Sequence, residues 1–129
     1  MAKNYTLDCS LSMAATSGSG YTQSQSGSYT LNITGVDQIA TGRIDVAHDG
    51  DSTVMAAPGA GRFIYVKNLD DTNFVKIYDG ASSAADLIGI LEPGHFLMTV
   101  IRGTGTTTAK ADTATVTIEY AAIEIDSNA

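Results

Sequence analysis

The densest group of side chains able to do chemistry is Asp45-Val46-Ala47-His48-Asp49-Gly50-Asp51, with three carboxylates and an imidazole close together. Oxygen ligands clustered around a glycine are what a hard cation such as calcium requires. The stricter pattern is missing. A helix–loop–helix calcium loop begun at Asp49 needs a further ligand near Thr53, a glycine after it, and a bidentate Glu at the last position, where Ala60 stands. The segment reads as a strand-end turn with solvated acids, and no metal ligand is assigned.

Nucleophilic catalysis needs Ser, Thr or Cys beside a base. The two histidines, His48 and His95, are flanked by turn residues rather than by a nucleophile motif. Glu119 and Glu124 have the right chemistry for paired acid–base work, but they fall at a strand end with no apolar pocket implied to lift one pKa. Gly59-Ala60-Gly61 lacks the third glycine of a dinucleotide loop, because Ile64 occupies that place inside a strand pattern. Cys9 falls on the apolar side of an alternating segment, where a thiol is packing rather than chemistry. No catalytic or cofactor-binding residue is assigned, and the chain is read as non-enzymatic.

The elements that must carry these residues are strands. Charged residues make up only 16% of the 129 residues, and Ser, Thr and Gly fill the gap. The usual helix-surface formers are scarce, while Thr, Val, Ile and Tyr separated by Gly and Ser favour strands and turns. The length fits one domain with one core, spanning 1–129. With a single cysteine the chain has no internal disulfide, so packing must hold it together. A net charge of −7 argues against sequence-independent nucleic-acid binding and against docking on an anionic membrane. No apolar run reaches the length of a membrane span, and the chain is expected to be soluble and assembled in a cytoplasm.

Along the chain, Tyr5, Leu7, Cys9, Leu11 and Met13 alternate with polar residues as a half-buried strand. Residues 16–28 are polar and rich in Gly and Ser, a long loop or an exposed hairpin. Alternation resumes at Tyr29, Leu31 and Ile33. One strand is expected around Ile39, and another after Gly42 with Ile44 and Val46. Residues 62–69 and 73–78, joined by Asp70-Asp71-Thr72, read as a hairpin of antiparallel neighbours. Period two then sets Ile64, Val66, Val75 and Ile77 on a core face. It sets Phe63, Tyr65, Lys67, Phe74, Lys76 and Tyr78 on the other face, which suits either a contact surface or a second packed layer. A Glu92-Pro93-Gly94 turn precedes the apolar run 96–101, and residues 106–110 suit a short strand. In the last strand the apolar phase switches after Tyr120 to Ile123 and Ile125, which predicts a β-bulge or a departure towards a neighbouring subunit. Strands of this length and spacing predict an antiparallel β-sandwich or barrel. Exposed rings at Tyr21, Tyr29, Tyr65 and Tyr78 also leave a carbohydrate-binding reading open.

From about residue 52 to residue 125, four features appear in turn. They are Gly61-Arg62-Phe63 with Asn68-Leu69-Asp70, then Glu92-Pro93-Gly94, then Ala109-Lys110-Ala111-Asp112-Thr113-Ala114, then Glu119-Tyr120. This run resembles a family of small virion proteins of tailed phages. His95 departs from the acidic residue that many relatives carry after the Pro-Gly turn. The resemblance implies a jelly-roll-like sandwich on a phage particle, as a capsid decoration or cement protein bound to the major capsid protein or other virion proteins. The alternative is a tail or fibre accessory module that binds a receptor or carbohydrate. A homo-oligomer, with a trimer favoured, is expected on a repeating lattice, with no nucleic acid, membrane or cofactor. Expected contact residues are Tyr5 and Leu7 on an N-terminal arm (1–13), Ile123 and Ile125 on a C-terminal arm (121–129), and Phe63, Tyr65, Lys67, Phe74, Lys76 and Tyr78.

Overall fold

The computed structural model describes residues 3–14, 18, 23–33, 39–55, 61–80, 86–102 and 105–125, and these residues form an all-β antiparallel structure. The strands are β1 (Lys3–Met13), β2 (Gln23–Ile33), β3 (Ile39–Val46), β4 (Ser52–Met55) and β5 (Gly61–Asn68). They continue with β6 (Val75–Asp79), β7 (Asp86–Leu91), β8 (Phe96–Arg102), β9 (Thr107–Ala111) and β10 (Val116–Ile125). β1 and β2 form a separate two-stranded ribbon. The other strands form two four-stranded sheets, in the orders β3-β10-β5-β8 and β4-β9-β6-β7.

Pairing is nested. β3 pairs with β10, β4 with β9, β5 with β8, and β6 with β7, while β10–β5 and β9–β6 close the two sheets. The chain from β3 onward is thus one long antiparallel hairpin rolled up so that alternate pairs fall in opposite layers. Val46, Ile64, Val66, Val116, Ile118 and Ala122 of the first sheet meet Val54, Met55, Val75, Ile77, Leu91, Ala109 and Ala111 of the second in one core. Period two accounts for most of this, since β5 and β6 bury alternate residues between the layers, while β4, at its register shift, buries Val54 and Met55 in succession.

The predicted hairpin 62–78 is corrected on one point. β5 and β6 do not pair; they lie in opposite sheets. The connection between them is polar and short, as a hairpin loop would be, but the side chains around it turn the chain across the layers. The Asp70 carboxylate accepts the Thr72 and Asn73 amides at 3.0 and 2.6 Å. The buried Asn68 amide group donates to the carbonyls of Asn73 and Leu91, both at 2.9 Å, and its oxygen accepts the Asp70 N–H at 2.8 Å. A carboxylate so solvated by backbone donors is held below its ordinary pKa, by the Asn73 N–H first and the Thr72 N–H second.

Arg62 closes the other end of the same inward row. Its side chain is fully buried, Nε donates to Thr107 Oγ1, and Nη2 forms an ion pair with Asp79, so one guanidinium ties β5 to β9 and β6. Glu124 stands opposite Arg62 in the β10–β5 register. Gly105 leaves room for this pin, since a Cβ there would lie 2.5 Å from the Asp79 carboxylate.

Two smaller expectations also change, and one open alternative is decided. The two strands expected around Gly42 are one, β3, with Gly42 at a φ of 145°. Of the two readings of the polar segment 16–28, the exposed hairpin is the one its described residues form, as strand from Gln23 onward paired with β1. β10 runs through Ala121-Ala122 in unbroken register with β5, so there is no β-bulge there. Ala122 simply continues the buried phase, and Ile123 and Ile125 belong to the outer face. The Pro93-Gly94 turn forms as expected, with Gly94 at a φ of 80° and His95 N–H bonded to the Glu92 carbonyl at 2.9 Å.

Candidate interaction surfaces

Because β5 and β6 separate, the six mixed aromatic and lysine residues divide between two surfaces. Phe63, Tyr65 and Lys67 lie on the outer face of the first sheet, and Phe74, Lys76 and Tyr78 lie on the side of the second sheet away from the core.

On the first sheet, register sets Phe63 beside Ile123 and Val100, Tyr65 beside Ala121 and Met98, and Lys67 beside Glu119 and Phe96. Ile39 joins the row across from Ile123. Phe63 and Ile123 pack on Ile125, which is 1% exposed, to form a small second cluster outside the sandwich core. Away from that cluster the band opens to solvent: Ile39, Phe96 and Val100 are 49, 62 and 47% exposed. The Tyr65 and Phe96 rings lie 6.5 Å apart and tilted by 41°. Tyr65 donates its hydroxyl to the Glu119 carboxylate at 3.1 Å, and Glu119 also faces Arg43 at 3.6 Å. Desolvation, then this hydrogen bond and the carboxylate's charge, raise the Tyr65 pKa, so the ring keeps its proton and anchors the polar edge of the band.

The ribbon borders this face. β2 lies against β10, and Ser10, Leu11, Gln25, Ser26 and Gly27 come down beside Phe96 and Met98 around a groove of about 420 Å³. Leu11 is 57% exposed at its edge. Tyr5 and Leu7 sit on β1 opposite Leu31 and Tyr29 of β2; their side chains lie outside the described residues, as do those of Cys9 and Tyr29. Tyr21 and Gly59-Ala60 also lie outside them.

The expected C-terminal arm is corrected for residues 121–125. They are hydrogen-bonded into the sheet, with β10 lying between β3 and β5, so Ile123 and Ile125 contribute a face and not a free strand. Residues 126–129 lie outside the described ones. The N-terminal segment has one edge occupied by β2, which leaves the ribbon's two outer edges unpaired among the described residues.

The acidic turn does not gather its ligands. Asp45 accepts the Thr117 hydroxyl at 2.7 Å on the outer face of β3, and Asp49 and Asp51 are exposed. Among the described residues no three His, Cys, Asp or Glu side chains come together as a metal site. His48 joins another surface, a depression on the second sheet with Lys76, Tyr78 and Lys110. Single-strand periodicity missed that grouping, because it arises only from the β6–β9 pairing, which sets Lys76 opposite Lys110 from a distant part of the chain.

Comparison of the chain with protein-family models, curated proteins and solved structures finds no match.

Proposed function

We propose that the chain is a structural protein of a tailed-phage particle, a capsid decoration or cement protein that binds and stabilises the capsid lattice. Its nested strand order is read as a jelly roll, the double-sheet arrangement common in capsid components. The observation that carries the surface-binding half of this reading is the exposed apolar band Ile39, Phe96 and Val100, bordered by the groove beneath the ribbon. Contiguous exposed apolar surface on a protein this polar marks a contact site. The ribbon's unpaired edges suit strand addition to a neighbour, the second mode by which a lattice protein bridges subunits. The phage setting rests on the resemblance over residues 52–125.

Bridging of this kind needs area and hydrogen bonds but no chemistry, and repeating sites favour a homo-oligomer, a trimer in the simplest case. A receptor- or glycan-binding tail module is the second reading, favoured by the Tyr65–Phe96 ring pair at the exposed edge. Copy number separates the two. Quantitative mass spectrometry of purified particles is expected to find this chain in many copies, and particles lacking it to burst at lower temperature. A few copies at the tail would favour the second reading, and particles containing none would end both.

A further inference from the structure

We propose that the outer face of the second sheet is a docking point for one carboxylate, supplied by an acidic segment of a partner protein. Cations are scarce on this chain, which has 7 Lys and Arg against 14 Asp and Glu. Even so, the β6–β9 register sets Lys76 directly opposite Lys110. Like charges facing each other across an antiparallel pair destabilise it unless an anion lies between or beside them. Among the described residues neither lysine forms an ion pair with a carboxylate oxygen within 4.0 Å, whereas Arg43 pairs with Glu119 and Arg62 with Asp79. Lys76 Nζ lies over the Phe74 ring, 5.8 Å from its centroid. Both lysines are half-buried, which strengthens the field they set up.

A depression of about 220 Å³ lies at this pair, lined also by His48, Tyr78 and Asp112. Its charge selects the ligand. Two ammonium groups and the Asp112 carboxylate leave one net positive charge, which matches a single carboxylate and falls short of a phosphate dianion. No guanidinium borders it, and the Ala111 and Asp112 amides already donate to Ala47 and Phe74, so the forked donors and backbone nest typical of phosphate sites are missing among the lining residues. The His48 imidazole and the Tyr78 hydroxyl line the same depression and supply further donors for the carboxylate's remaining lone pairs. This site is on the opposite layer from the apolar band, and its existence does not depend on the phage reading.

The test uses the full chain, isotope-labelled for NMR at low salt, titrated with a blocked Gly-Glu-Gly peptide, its Gly-Gln-Gly counterpart and inorganic phosphate. The Glu peptide is expected to shift the Lys76, Tyr78 and Lys110 amides saturably, with a Kd of roughly millimolar order. The Gln peptide and the Lys76→Gln/Lys110→Gln variant are each expected to bind at least about tenfold more weakly, by the same weak ion-pair reasoning. Without peptide, Lys110→Gln is expected to raise Tm, since it removes the facing charge. Absent saturation, equal binding of the Gln peptide, tighter binding of phosphate, or a lowered Tm in Lys110→Gln would each overturn the proposal.

Discussion

The ribbon and the sandwich are built from the same kind of strand, yet the described side chains of the ribbon are exposed while those of the sandwich fill a core. β1 and β2 pair in full register from Lys3↔Ile33 to Met13↔Gln23, as regular as any pair in the molecule. Their described side chains, from Thr6 to Ser12 and from Ser24 to Ser28, are exposed wherever burial is defined. A lone two-stranded hairpin is marginal in water, because its hydrogen bonds replace bonds to water and only a second layer adds hydrophobic gain. In the sandwich every central strand meets such a layer, and the inward row of β5, Arg62, Ile64, Val66 and Asn68, is wholly buried. The described core therefore lies within β3–β10, and the described side chains of the ribbon are open to contact with something else.

Breaking the packed half has the largest expected effect. Arg62→Ala removes a fully buried guanidinium and strands Asp79, which costs on the order of 3–5 kcal/mol and lowers Tm by about 10–20 °C in thermal melts. Arg62→Met/Asp79→Asn is expected to recover part of that loss, because the uncompensated carboxylate is then gone. A double variant no more stable than Arg62→Ala would mean the ion pair is not what joins the sheets at this end. Asn68→Ala comes next, at about 1–3 kcal/mol in denaturant melts, since the carbonyls of Asn73 and Leu91 lose their donor.

These two pins also show why part of the fold was legible and part was not. Period two predicts the strand at Tyr5–Met13, and at Ile64 and Val66 and at Val116 and Ile118 it predicts the buried phase as well, without reference to partners; Leu11, expected on the buried side, is instead 57% exposed, and the Pro93-Gly94 turn follows from local chemistry alone. Layer assignment does not. Asp70-Asp71-Thr72 serves equally as a hairpin loop or as an arch between sheets, and the choice depends on Asn68 reaching Leu91, a contact across 23 positions. The same limit applies to the surfaces. Ile123 and Ile125 read as a phase switch because two successive alanines hide the period, and Lys76 meets Lys110 only once β6 and β9 pair.

The Asp70 turn gives a smaller effect, visible through pH. Its folded pKa lies below the unfolded value, so the stability it contributes is present above the ordinary carboxylate range and is lost as pH falls through the folded pKa. Asp70→Asn is expected to flatten the acid limb of a Tm-versus-pH curve while leaving the curve above neutrality parallel to wild type. An unchanged acid limb would place the acid sensitivity in other carboxylates.

The smallest effect on stability is expected on the exposed side, and that smallness sharpens the contrast between the two regions. Phe96 is 62% exposed and Leu11 57%, so replacing either with Ser removes little buried area and should change stability by no more than about 0.5 kcal/mol. Both border the groove between ribbon and sheet, so the same variants should weaken attachment to particles if that band is the contact surface. The informative result is the pairing of the two readouts. Retained Tm with at least about tenfold weaker particle binding is the signature of a contact residue, since a loss near 1.4 kcal/mol at the interface need not touch the fold. A large drop in Tm would instead show that the ribbon and β8 support each other within one chain, and the ribbon would then belong to the packed half.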